Sequence, residues 1–92
     1  MTVVITVPAR HVENVAKKKG TLNQAVGRNL RAHRQRLGFS QEAYAHELGL
    51  DRAYWARIER GELNLSLDRL EALAVQVGVG AMRLLESPDD SN

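Results

Sequence analysis

Arginine is the residue type in this sequence best placed to do chemistry. Arg52 and Arg57 lie five residues apart in a short helical stretch, with Ala53 beside the first of them. A guanidinium presents a planar fork of N–H donors that matches O6 and N7 of guanine, and the methyl group of Ala53 can meet that of thymine. Arg31, Arg36 and Arg60 add cations suited to phosphate, as is the hydroxyl of Tyr54. Gln41 stands at a helix start, where free backbone N–H groups and its own side-chain amide can hold a phosphate. The plainer reading of all these cations is a solvated charged face.

Other chemistries find little support. His11, His33 and His46 are the histidines, and none has a second His, a Cys or a paired carboxylate at metal-ligand or acid–base spacing. There is no glycine-rich phosphate loop and no cysteine. No catalytic residue, metal site or cofactor is expected. The charge is lopsided along the chain. Residues 1–60 hold eleven Lys/Arg against five Asp/Glu, and residues 61–92 hold two against six. A basic front and an acidic back suit a protein that turns one face to a polyanion. No apolar run approaches the ~18–20 residues of a membrane helix, and MTVVITVPAR lacks the charged and long apolar regions of a signal peptide. A cytoplasmic protein with no membrane partner is expected.

The element that must position the arginines is the stretch Ser40–Gly61. Ser40 and Asp51 are good N-caps, because each side chain can accept a hydrogen bond from the first turn of a following helix. Tyr44, Ala45 and Leu48 make one apolar face, Trp55 and Ile58 another. Gly49 suits a left-handed helix end, Leu50 plugs the turn, and Gly61 closes the second helix. Two short amphipathic helices around a glycine turn are the signature of a helix-turn-helix. On this pattern Trp55 belongs to the core rather than to base stacking. Tyr44 reads as core with phosphate as the alternative, and Tyr54 is balanced between the two.

These residues also carry a family resemblance. Leu37-Gly38-Phe39-Ser40-Gln41, Leu48-Gly49-Leu50 and Ile58-Glu59-Arg60-Gly61 resemble, in register, the Cro/repressor-type (Xre-like) helix-turn-helix proteins. Leu50-Asp51-Arg52-Ala53-Tyr54 is similar to the recognition helix of restriction–modification controller proteins. The resemblance spans roughly residues 23–86. It departs at Trp55, where a smaller aliphatic residue is usual, and at Ala56, where Ser is frequent. It implies an all-α, five-helix lambda-repressor-like DNA-binding domain, and a phosphate contact at Gln41. It also implies a structural ion pair between Arg34 and Glu59, and dimer contacts near the C-terminal end.

The rest of the chain is read in order. Residues 1–22 form an N-terminal extension, strand-like over 2–7 and then a basic linker. The strand can pair with a second subunit, strap the helical domain, or act as an arm that orders on a partner. Residues 23–37 form a first helix with Ala25 or Val26, Leu30, His33 or Arg34, and Leu37 as its inner stripe, and Gly27 at a close helix crossing. Ser66 caps a helix with Leu67, Leu70, Leu73, Ala74 and Val77 on one face, ended by Gly78. Val79 and Ala81–Leu85 supply a last turn. Residues 87–92 are a flexible tail. Val79, Met82, Leu84 and Leu85, with Val3 and Ile5 of the strand, are the candidate dimer contacts. The expected function is a homodimeric regulator of transcription binding double-stranded DNA at a palindromic operator. The alternative is an antitoxin that holds a toxin and autoregulates its operon.

Overall fold

The computed structural model describes residues 21–87, and these form five helices with no strand among them. They are α1 (Thr21–Arg36), α2 (Gln41–Leu48), α3 (Arg52–Glu59), α4 (Leu67–Val77) and α5 (Ala81–Leu84). The all-α, five-helix expectation holds. The expected strand at 2–7, the basic linker up to residue 20 with its lysines, and residues 88–92 of the tail lie outside the described residues.

Local chemistry sets the helix ends. The Ser40 hydroxyl accepts from Ala43 N at 3.1 Å, Asp51 from Tyr54 N at 3.1 Å and Ser66 from Arg69 N at 3.0 Å. Each such cap stabilises its helix by about 1 kcal/mol. Between α2 and α3 the chain reverses at Gly49, whose φ of 71° is left-handed and would strain a side-chain-bearing residue. α1 includes Thr21 and Leu22 as well as the expected residues, and ends at Arg36.

The core lies where α1, α2 and α3 meet the inner face of α4 and the end of α5. Trp55, Leu30, Leu73, Ile58 and Leu84 are at most 1% exposed. Burying a leucine or isoleucine fully contributes roughly 1.5–3 kcal/mol. Tyr44 stands edge-on to Trp55, with ring centroids 5.4 Å apart, and Phe39 packs on Tyr44 at 5.0 Å. Tyr44 is therefore a core residue, and burial pushes its hydroxyl pKa up. Two apolar expectations fail. Leu37 is 53% exposed, because α1 has ended and Phe39 fills that edge of the core instead. Leu67, the first residue of α4, is 79% exposed, and the buried stripe of that helix begins one turn later at Leu70.

Side-chain amides from α1 fasten the C-terminal half. Asn29 Nδ2 donates to the carbonyls of Leu84 (2.8 Å) and Glu86 (2.7 Å). Asn23 accepts from Leu65 N at 3.2 Å, pinning the loop after α3. Gly27 marks the closest crossing. A Cβ there would stand 2.5 Å from the carbonyl oxygen of Glu59, so α1 and α3 touch backbone to backbone.

Candidate nucleic-acid interface

The 100° step between helical residues lays out α3 around its axis. Trp55, Ile58 and Glu59 face inward and are buried. Ala53 and Arg57 lie opposite them, exposed. Arg52 and Ala56 run along one flank, next to α2, and Arg60, just past the helix end, lies within about 20° of Ala53. Tyr54 occupies the other flank, next to α4. A depression of about 320 Å³ opens on the α2 side, lined by Gln41, Arg52, Ala53, Ala56, Arg57 and Arg60. Five of the residues expected to meet nucleic acid are thus brought to one concave surface. Ala56 joins them as a floor residue.

Glu59 fixes the orientation of this surface from behind. Its Oε2 accepts from Arg34 Nε at 2.6 Å and from Trp55 Nε1 at 2.6 Å. Its Oε1 accepts from Arg34 Nη2 at 3.0 Å and from Gln41 Nε2 at 2.9 Å. The Arg34 guanidinium completes its shell on the Phe39 carbonyl at 2.8 Å. The Arg34–Glu59 pair expected from the resemblance is present, and both residues are buried. Burial works to raise the Glu59 pKa. The hydrogen bonds from Arg34, Gln41 and Trp55, with the Arg34 charge, outweigh it and hold the carboxyl below its ordinary value. One carboxylate therefore ties α1, α2 and α3 together.

The exposed cations differ in how free they are. Arg52 and Arg57 have no hydrogen bond or ion pair among the described residues. Arg60 is held by Glu62, with Nε to Oε2 at 2.8 Å and Nη2 to Oε1 at 3.0 Å. The hydrogen bond from Arg60, reinforced by the charges of Arg60 and Arg57, lowers the Glu62 pKa. A phosphate at Arg60 would have to displace that carboxylate. Gln41 keeps one of its two amide protons for another acceptor. Arg31 and Arg36 are both exposed on α1 but point about 140° apart around its axis. They leave α1 on different sides. Arg36 leans toward His33 Nδ1 at 3.5 Å, and His33 itself bonds the Val77 carbonyl through Nε2 at 3.1 Å.

Tyr54 has a partner that the sequence did not suggest. Arg69, in the first turn of α4, donates from Nε to the Tyr54 hydroxyl at 2.8 Å and lies 5.2 Å from the ring centroid. No local periodicity links residues fifteen apart on two helices.

The expected C-terminal contact residues separate. Met82 is 77% exposed, and Val79 and Leu85 are half-buried. Leu84 is 1% exposed. It packs inside its own chain and offers no surface to a second one, which corrects its place among the dimer contacts. Val75, which the expected contacts did not include, is 78% exposed on α4. Val3 and Ile5 lie outside the described residues. No helix among the described residues is long and apolar enough to cross a membrane.

A profile of the helix-turn-helix domain family matches residues 25–85. The chain belongs to the helix-turn-helix domain family. A hypothetical transcription factor from Neisseria meningitidis is 38% identical over 69 residues, which is 75% of this chain and 65% of that protein. Among solved structures, the hypothetical transcription factor NHTF from Neisseria superposes with a TM-score of 0.67 at 36% identity, covering 79% of this chain and 82% of the other. The restriction-modification controller protein C.AhdI from Aeromonas hydrophila gives 0.57 at 37% identity, covering 67% and 94%. The chain spans between 58% and 65% of the length of the curated relatives it matches. In this helix-turn-helix unit α2 and α3 are the paired helices, and α3 is the one whose outer face carries arginines with no partner among the described residues.

Proposed function

We propose that this protein is a regulator of transcription that binds double-stranded DNA sequence-specifically, as a homodimer on a palindromic operator. The observation that carries the reading is the outer face of α3. The side chains of Arg52, Ala53 and Arg57 project from it with no hydrogen-bond or ion-pair partner among the described residues, while Trp55, Ile58 and Glu59 lock the inner face. A helix of ~10–12 Å diameter fits the ~12 Å major groove. Arg52 and Arg57 then read guanine edges, and Ala53 meets a thymine methyl. The first turn of α2, with the remaining Gln41 proton, holds a phosphate at the groove edge. Arg31 and Arg60 add phosphate contacts, the latter by exchanging Glu62 for DNA. The similarity to a transcription factor and to a controller protein supports this reading. The protein works by binding rather than by catalysis, in the cytoplasm.

The exposed Val75 and Met82, with the half-buried Val79 and Leu85, supply the surface for a second copy. A two-fold pair would set its two α3 helices ~34 Å apart, one turn of DNA. The antitoxin alternative depended on residues 1–20, which lie outside the described residues, and no observation favours it.

Selection of bound sequences from a random duplex pool tests the reading. A palindromic consensus with half-site centres ~10–10.5 bp apart, or a multiple, is expected. A pool that stays random after repeated selection overturns it.

A further inference from the structure

The described arginines that have a side-chain partner differ in what they touch. Arg34, Arg60 and Arg83 are each paired with a glutamate. Arg69 has no carboxylate partner among the described residues. It is half-buried, and the only described partner of its guanidinium is the Tyr54 side chain, through hydroxyl and ring. Of its five N–H donors only Nε is used, so the two terminal amino groups have no partner among the described residues. Tyr54 is also left with an unfilled role. Its hydroxyl oxygen accepts from Arg69, so the hydroxyl proton is free to donate, and donation is strengthened by the charge behind it.

The position of this pair gives it a use. Tyr54 lies on the flank of α3 away from Gln41, about 60° around the axis from Arg57. A helix seated in a major groove has a phosphate strand on each side. The α2 start, with Gln41, faces one of them. Tyr54 and Arg69 face the other.

We propose that Tyr54 and Arg69 form a phosphate clamp, in which the Tyr54 hydroxyl and the free Arg69 amino groups together hold one backbone phosphate on the strand opposite the Gln41 contact. This rests on the proposed binding of duplex DNA by α3. It assigns a binding residue on α4, outside the paired helices. The stacking of the guanidinium by the Tyr54 ring holds the fork in place before DNA arrives, which lowers the ordering cost of binding. The clamp positions the protein and carries no base preference, so its loss weakens all duplexes alike.

The test measures binding of the full chain to its selected duplex and to an unrelated duplex, across a salt series. The chains are wild type, Arg69→Gln, Arg69→Lys, Tyr54→Phe, and Tyr54→Phe combined with Arg69→Gln, with melting recorded for each. Arg69→Gln is expected to weaken both duplexes by a similar factor, about tenfold, and to reduce the salt slope by about one. Arg69→Lys is expected to keep the slope while losing part of the affinity. Tyr54→Phe is expected to cost affinity in the wild-type background and nearly nothing once Arg69 is Gln, as coupled partners require. If the wild type binds with a steep salt slope and Arg69→Gln leaves slope and affinity unchanged, the clamp is wrong and the DNA reading stands. Independent, additive losses from Tyr54→Phe and Arg69→Gln also overturn the clamp. If the wild type binds neither duplex, both readings fall.

Discussion

Replacing Glu59 by Gln would remove one charge and exchange one oxygen for an NH2 group, with almost no change of shape. Four donors converge on the Glu59 carboxylate, two on each oxygen. Whichever oxygen becomes nitrogen, two of those donors then face another donor. If it is Oε2, Arg34 Nε and the Trp55 indole lose their acceptor. If it is Oε1, Arg34 Nη2 and Gln41 do. Arg34 stays buried and charged, keeping the Phe39 carbonyl and one of its two bonds to residue 59. Stranding one partner of a buried pair costs ~3–5 kcal/mol, and the surviving oxygen places this case near ~3 kcal/mol. For a domain of this size that lowers Tm by roughly 12–24 °C. The single tryptophan, Trp55, gives a fluorescence signal for thermal and urea unfolding from inside the cluster.

The substitution also makes a pH prediction. The Glu59 pKa is lower in the folded chain than in the unfolded one. The contribution is therefore complete above the ordinary glutamate range, and is lost as pH falls through the depressed folded-state value, because the unfolded chain then binds more protons. Wild type should lose stability steeply on acidification, and Glu59→Gln should lose less over the same range. A Glu59→Gln protein that melts within about 2 °C of wild type would refute the central role of this cluster, a shift well below the ~4 °C that 1 kcal/mol produces. A fall in DNA binding without a fall in Tm would instead place Glu59 on the DNA side.

Further outcomes follow from the same geometry. Arg52→Ala should cost ~1–3 kcal/mol on the selected duplex and relax one base pair per half-site, with a smaller effect on unrelated DNA; equal losses on both would reduce Arg52 to a backbone contact. Arg31→Ala should weaken both duplexes equally and lower the salt slope by about one. Glu62→Gln should free Arg60 and raise both affinity and salt slope on any duplex; unchanged binding would exclude Arg60 from the interface. Met82→Glu places a charge on the exposed apolar surface of α5 and should shift sedimentation at micromolar concentration from dimer to monomer without lowering the monomer's melting temperature.

Much of the fold was legible because it is local. Ser40, Asp51 and Ser66 act on backbone groups three residues away, so residue type and spacing suffice to place them. The buried stripe of α4 is read from its period. The Arg34–Glu59 pair was legible only through family register, since nothing local links residues twenty-five apart. Gln41 was hidden for the same reason, whereas Trp55 stands four residues before Glu59 on the same helix, within the reach of local spacing. Tyr54 with Arg69, and Asn29 with the α5 carbonyls, are likewise products of packing. Leu37 and Leu67 were misplaced because periodicity defines a face but not where a helix outruns the neighbour that covers it. Leu84 went to the surface because a four-residue helix has too little period to define a face. The divergence of Arg31 and Arg36 was there to be read from their five-residue spacing.

The division of labour within α3 bears on how such proteins diverge. The inner residues Trp55, Ile58 and Glu59 hold the helix against α1, where Gly27 leaves no room even for a methyl group. The outer side chains of Arg52, Ala53 and Arg57 bear no part of that packing and make no hydrogen bond or ion pair among the described residues. They can be exchanged without touching the anchors, and the helix keeps its seat while its lettering changes. If the outer face reads bases as proposed, a lineage of such proteins can move from one target site to another by single substitutions, each leaving a folded protein. The same independence makes the outer face a practical place to install a chosen preference by design.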